Sequence, residues 1–142
     1  GGVERARALA KHLKAKLAII DKRRTEPNHS SVIHLIGDVT SQNCVIVDDI
    51  VDTGNSLVQA AEALKANGAK EVSAVITHPV LSGQAVEKID DSVLTSVLVT
   101  NTIALSSAAI DSTKIKQISV AKLLSAAIKR IESNDSISSL FI

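Results

Sequence analysis

Apolar strands alternate with amphipathic helices along this chain. That order predicts an α/β domain, a mostly parallel sheet with helices on both faces. Composition and length agree. The 142 residues suit one domain with a core of its own. The 45% hydrophobic share is carried by Ala, Val, Ile and Leu, side chains that let helices lie close on a sheet, whereas Phe141 is the lone aromatic and Met is absent.

The elements follow from spacing. Ala6, Leu9, Ala10 and Leu13 recur three and four apart, which predicts a helix over residues 3–14. Residues 17–20 form a short apolar run, read as a buried strand. Residues 21–31 are polar, contain Pro27 and predict a loop. A strand over 32–36 closes at Gly37-Asp38. A strand over 44–47 runs into Asp48-Asp49, a turn over 52–56 follows, and a helix over 57–66 buries Leu57, Ala60, Ala61 and Leu64. Gly68 stands where a helix C-cap is expected. Next come a strand over 72–77 ended by Pro79, a short helix over 82–89, a strand over 93–99 and a polar Ser- and Ala-rich connection over 104–114. After a last strand over 115–118, Ser119 is placed to cap a helix in which Val120, Leu123, Leu124, Ala127, Ile128 and Ile131 recur at helical spacing. No internal repeat interrupts this order, and the chain reads as one domain.

Composition excludes several classes of function. Sixteen Lys and Arg against fifteen Asp and Glu leave a net charge of +1, and one aromatic gives no stacking platform, so nucleic acid is not an expected partner. The lone Cys44 excludes an intrachain disulfide and a four-cysteine zinc site, and no His pair has zinc-ligand spacing. No apolar run reaches the eighteen residues or so of a membrane span, so the expected compartment is the cytoplasm. The chain opens Gly1-Gly2-Val3-Glu4 with no Met and no signal-peptide pattern, and is read as a piece of something longer. Charge is uneven: the first thirty residues hold eight basic and three acidic side chains, +5, leaving −4 for the remainder.

The segment from Val45 to Leu57 carries the chemistry. In open α/β sheets, ligands bind beyond the carboxyl ends of the strands. Here two carboxylates, Asp48 and Asp49, follow an apolar strand, and Asp52, Thr53, Gly54, Asn55 and Ser56 must turn quickly into a helix. Such a turn offers backbone N–H groups, the Thr53 and Ser56 hydroxyls and the positive end of a helix dipole, the donors a phosphate dianion takes. Gly54 permits close backbone approach. A ligand with a phosphate at one end and hydroxyls at the other, a sugar phosphate, would bridge loop and carboxylates. The plainer reading makes Asp52 or Ser56 a helix cap and the Asp pair a solvated strand end. The segment is neither a Walker A loop nor a Gly-x-Gly-x-x-Gly fingerprint.

This segment resembles the phosphoribosyl diphosphate signature of the type I phosphoribosyltransferase fold. The resemblance extends along essentially the whole chain to the C-terminal half of class I ribose-phosphate diphosphokinase, the phosphoribosyl pyrophosphate synthetase family. It is carried by residues 17–24 (Leu-Ala-Ile-Ile-Asp-Lys-Arg-Arg), 34–39, 45–57, 77–83 (Thr-His-Pro-Val-Leu-Ser-Gly), 101–103 and 136–141. The implied activity moves the diphosphoryl group of ATP to the anomeric hydroxyl of ribose 5-phosphate, releasing AMP and serving nucleotide biosynthesis. Asp48 and Asp49 would then face ribose hydroxyls, and residues 52–56 would wrap the 5-phosphate. Asn55-Ser56 departs from the family's usual Gly-Thr ending, with Ser56 keeping the hydroxyl.

Lys22 and Arg24 stand two apart at the start of the polar loop, so the resemblance makes them the catalytic cations on a mobile arm over residues 21–31, with Arg23 structural. A solvated basic rim is the plainer reading. The resemblance further implies that the whole chain, 1–142, is a C-terminal domain lacking its opening strand, with the N-terminal domain absent. Magnesium, its ligands mainly outside this chain and none assigned within it, would accompany ATP. Homo-oligomers (dimer or hexamer) and regulation by ADP or phosphate are also implied, with Phe141 a contact anchor. The competing functions are a phosphoribosyltransferase acting on a purine or pyrimidine base and a non-catalytic regulatory homologue.

Overall fold

A computed structural model describes residues 2–23 and 32–140. Helix α1 spans Val3–Leu13, and strands β1 (Ile19–Arg23) and β2 (Val32–Ile36) pair as an antiparallel hairpin. Then follow β3 (Asn43–Val51), α2 (Asn55–Ala66), β4 (Glu71–Pro79), α3 (Ala85–Asp91), β5 (Ser96–Thr100), α4 (Ser107–Asp111), β6 (Ile115–Ile118) and α5 (Ala121–Glu132), with a 3-10 turn at Ser138–Leu140. The last four strands form a parallel sheet in the order β3-β4-β5-β6, flanked by helices. The α/β expectation holds.

The first strands differ from their prediction. Leu17 and Ala18 precede β1, while Asp21, Lys22 and Arg23, expected in a loop, lie within it. Each pairs across the hairpin, Asp21 with His34, Lys22 with Ile33 and Arg23 with Val32, so backbone hydrogen bonding extends the strand past its apolar part. The hairpin stands apart from the parallel sheet, yet Ala18, Ile20 and Leu35 pack against the main core.

β3 is longer than predicted. It continues through Asp48 and Asp49 to Val51, because β4 supplies paired backbone up to Val51↔Pro79. β4 likewise runs to Pro79 itself, a residue tolerated at a strand end. Helix α2 starts at Asn55, two residues early, and stops where Gly68 takes φ +86 and Ala69 N donates to Leu64 O at 3.0 Å. Four boundaries shift downstream: α3 covers Ala85–Asp91, not 82–89, and β5 covers Ser96–Thr100, not 93–99. The connection over 104–114 contains a helix that periodicity missed. It is one short turn, α4, opened by Ser106, whose Oγ accepts from Ala109 N at 3.3 Å.

Strand alternation divides the sheet into unequal faces. Val72, Ala74 and Ile76 of β4, Val97 and Val99 of β5 and Ile115 of β6 are buried in one cluster with Leu57, Ala61 and Leu64 of α2 and Val86 and Ile89 of α3. On the opposite face Ser73 and Ser96 share a hydrogen bond at 3.1 Å, and Val45 remains 51% exposed. Burial is thus deeper on the face that α2 and α3 cover.

Helix α5 also departs from expectation. Its N-cap is Val120, and Ser119 Oγ accepts from Ala121 N at 3.2 Å from one position earlier. Its apolar row buries nothing: Leu123, Leu124, Ile128 and Ile131 are all more than half exposed. Arg130 ties the end of α5 to the tail through Ser136 O at 3.0 Å and Ser139 Oγ. Phe141 lies outside the described residues. No helix among the described residues is long and apolar enough to cross a membrane.

Burial therefore separates two otherwise similar positions. Ile89→Ala should lower the unfolding free energy by about 2–5 kcal/mol, because it empties a closed site. Ile128→Ala, at a residue 66% exposed, should cost under about 1 kcal/mol in this chain. Urea denaturation of the two variants measures the difference.

Candidate functional site

The carboxyl ends of β3 and β4 stand level, because the two strands pair in register from Asn43↔Glu71 to Val51↔Pro79. Asp52 to Gly54 leave β3 here and turn directly into α2. Gly54 is the N-cap, with φ +77, a left-handed value that side-chain-bearing residues seldom take. It is buried beside α3, where an added Cβ would lie 3.4 Å from Ala85 O. With Gly at the cap, no side chain caps the first turn of α2, whose leading N–H groups have no partner within the helix. Asp52, Thr53, Asn55 and Ser56 are exposed around this turn. The turn thus has the backbone and hydroxyl donors expected of an anion cradle.

The carboxylate pair sits inside β3 rather than beyond it. Consecutive strand residues project to opposite faces, so Asp48 and Asp49 do not converge from the strand alone. Asp48 Oδ1 accepts from Asp49 N at 2.9 Å. Asp49 is drawn to α1, where Arg5 Nη2 lies 2.9 Å from its Oδ2. Desolvation pushes the Asp49 carboxyl upward, but the hydrogen bond and charge of Arg5 outweigh it and hold the group below the usual aspartate range. Arg5 was counted in the sequence only as part of the basic excess. Arg5 and Asp49 stand 44 positions apart, which leaves no local signal of the pair.

Other polar groups gather at the same end of the sheet. His78 Nδ1 is 3.0 Å from Thr102 Oγ1, and both Thr102 Oγ1 and Thr100 Oγ1 donate to Thr77 O, at 3.0 and 2.7 Å. Asn101 Oδ1 accepts from Val120 N at 2.9 Å, which fixes the entry to α5. Of the two expected catalytic cations, Lys22 has its backbone in β1, while its side chain and all of Arg24 lie outside the described residues.

A family model described as the phosphoribosyl synthetase-associated domain matches residues 23–142. The chain belongs to that family. Among its relatives, the ribose-phosphate pyrophosphokinases of Xylella fastidiosa and Nitrosomonas europaea are each 54% identical over the full chain, which covers 44% and 45% of them. The chain thus spans less than half the length of these relatives. A solved structure described as phosphoribosylpyrophosphate synthetase from Mycobacterium smegmatis superposes with a TM-score of 0.83 at 30% identity, over 94% of this chain and 42% of that one.

In this phosphoribosyl synthetase-associated domain, Cys44 is half-buried against the core, and desolvation raises its thiol pKa, which suits packing rather than nucleophilic attack. Among the described residues no group of three or more His, Cys, Asp and Glu side chains is placed to hold a metal ion. The described residues therefore offer no complete set of protein ligands for a metal ion.

The depressed Asp49 value has a definite pH consequence. Because the folded-state value lies below the unfolded one, the pairing contributes fully above about pH 4 and is lost as pH falls through the folded value. Carboxyl-detected NMR should place the Asp49 midpoint below the ordinary aspartate range. In Arg5→Ala the midpoint should move upward; an unmoved midpoint would show that Arg5 does not set it.

Proposed function

We propose that this chain is the C-terminal half of a ribose-phosphate diphosphokinase. The reaction transfers the β,γ-diphosphoryl group of ATP to ribose 5-phosphate. The anomeric oxygen forms a bond to the β-phosphorus, the bond from that phosphorus to the bridging oxygen of the α-phosphate breaks, and AMP leaves while the anomeric proton is given up. The reading rests chiefly on one observation, the glycine-capped turn from β3 into α2 at the carboxyl end of the parallel sheet. Identity to relatives named ribose-phosphate pyrophosphokinase, over the full chain, supports it.

Each part of the site takes a role on chemical grounds. Thr53, Gly54, Asn55 and Ser56 offer N–H and hydroxyl donors to the 5-phosphate, beside Asp52 in the same loop, and the α2 dipole favours the dianion. Near the carboxyl end of β3, Asp48 and Asp49 accept hydrogen bonds from ribose hydroxyls, each from its own face of the strand, with Arg5 keeping Asp49 ionised. Lys22 and Arg24 supply cationic donors to the phosphoryl oxygens as charge redistributes in transfer. Magnesium would neutralise the polyphosphate, its ligands lying mainly beyond this chain, and the described residues supply no step through it. A homo-oligomer in the cytoplasm, dimeric or hexameric and regulated by ADP or phosphate, completes the proposal.

The test is product analysis on the full-length protein with ATP, magnesium and ribose 5-phosphate, beside equilibrium binding of each substrate. Asp52→Ala should mainly weaken ribose 5-phosphate binding. Lys22→Ala and Arg24→Ala should each lower turnover by about 100-fold or more with little change in ribose 5-phosphate binding, the pattern of an interaction made in the transition state. The 142-residue chain alone should form product at under about a tenth of the full-length rate, because it cannot place the nucleotide.

A further inference from the structure

The segment leaving β4 is strapped to the turn that leaves β3. Val80 N and Leu81 N both donate to Val51 O, at 3.0 and 3.1 Å, and Ser82 N donates to Asp52 O at 3.1 Å. Leu81 takes φ +51, an uncommon value for a side-chain-bearing residue and the bend that precedes Ser82. Ser82 Oγ donates to Asp52 Oδ1. Beyond Ser82 the strap enters α3 at Ala85, the residue against which Gly54 rests. Three of the four hydrogen bonds are backbone-to-backbone and independent of residue type. The fourth exists only because a hydroxyl stands opposite a carboxylate.

That pairing answers an electrostatic difficulty in the loop. A free carboxylate beside a phosphate dianion repels it, and Asp52 is the residue at which the turn begins. A hydroxyl donating to the carboxylate makes a charge-assisted bond, stronger than a neutral one, and commits one Asp52 oxygen to the strap. With its main-chain oxygen also engaged by Ser82 N, Asp52 is held at two points while Thr53 to Ser56 stay exposed.

We infer that Ser82 is a positioning residue for the sugar-phosphate loop: its hydroxyl holds the Asp52 carboxylate against the strap and so sets the backbone that receives the phosphate. This rests on residues 52–56 being the ribose 5-phosphate site. Ser82 touches no substrate in this arrangement; it acts through Asp52.

Two measurements on the full-length protein decide it. In the first, Ser82→Ala should raise both the Kd and the KM for ribose 5-phosphate about tenfold, with a much smaller change in kcat. Ser82→Thr keeps the hydroxyl and should recover most of the affinity. Combining Ser82→Ala with Asp52→Ala should weaken binding no further than Asp52→Ala alone, since both break one contact. Unchanged affinity in Ser82→Ala, or losses that multiply in the double variant, would overturn the inference. The second measurement needs no ligand. Amide hydrogen exchange at Val80, Leu81 and Ser82, whose N–H groups donate across the strap to Val51 O and Asp52 O, should quicken about tenfold in unliganded Ser82→Ala and return with Thr. Unchanged exchange would overturn the latch, whatever binds. A wild-type protein that failed to bind ribose 5-phosphate would instead sink the functional reading, while exchange still decided the latch.

Discussion

The in-register pairing of β3 with β4 is the constraint on which the candidate site depends. The ladder runs from Asn43↔Glu71 to Val51↔Pro79, so the two nine-residue strands end at one level. A turn leaving β3 and a segment leaving β4 then emerge side by side, close enough for Val51 O and Asp52 O to accept three main-chain N–H groups from residues 80–82. Were the register slipped by one residue, every side chain of β3 would change face, and Asp48 and Asp49 would exchange surroundings. Hydrophobic burial guards against that slip: Val72, Ala74 and Ile76 are each almost wholly enclosed.

Burial is concentrated on the sheet face where α2 and α3 pack, and that concentration shapes how load is shared. Ala61 of α2 and Ile89 of α3 are fully enclosed, whereas α1 and α5 bury no residue completely. α1 is instead joined to the sheet by charge, through Arg5 and Asp49, a half-exposed pair that water and salt weaken. The stable part of the molecule is therefore the scaffold beneath the turn from β3 into α2. The turn itself presents exposed donors on a rigid base, an arrangement that favours a preformed anion cradle over one built on binding.

Local signals carried the parts of this picture that neighbouring residues decide. Helical spacing located α1, α2, α3 and α5, apolar runs located all four strands of the parallel sheet, and the Asp52-Thr53-Gly54 run marked the turn, with Gly54 at the position that needs a left-handed backbone. The misses have distinct physical causes. Asp21 to Arg23 and Asp48 to Val51 are strand residues because a partner strand lies alongside them, and the polar side chains of residues 21–23, 48 and 49 look like loop when read along the chain. Helix α4, five residues long, is too short for a period to show. The row Leu123, Leu124, Ile128 and Ile131 correctly announced a helix but not what would cover it, since amphipathicity records a preference for burial and names no partner.

The sequence by itself determined the α/β class, the order of the strands and the longer helices, the quick turn over 52–56 and the residue types gathered in it. These follow from spacing, φ preference and hydrogen-bonding capacity, properties that each residue expresses with its near neighbours. Only the tertiary structure decided that Arg5 meets Asp49 across 44 residues, that Ser82 meets Asp52 across 30, and that β1 and β2 form a hairpin apart from the parallel sheet. Such contacts depend on which distant segments the sheet register brings to the same place. Register is a collective result of packing all the strands at once, so no single stretch of the chain contains it.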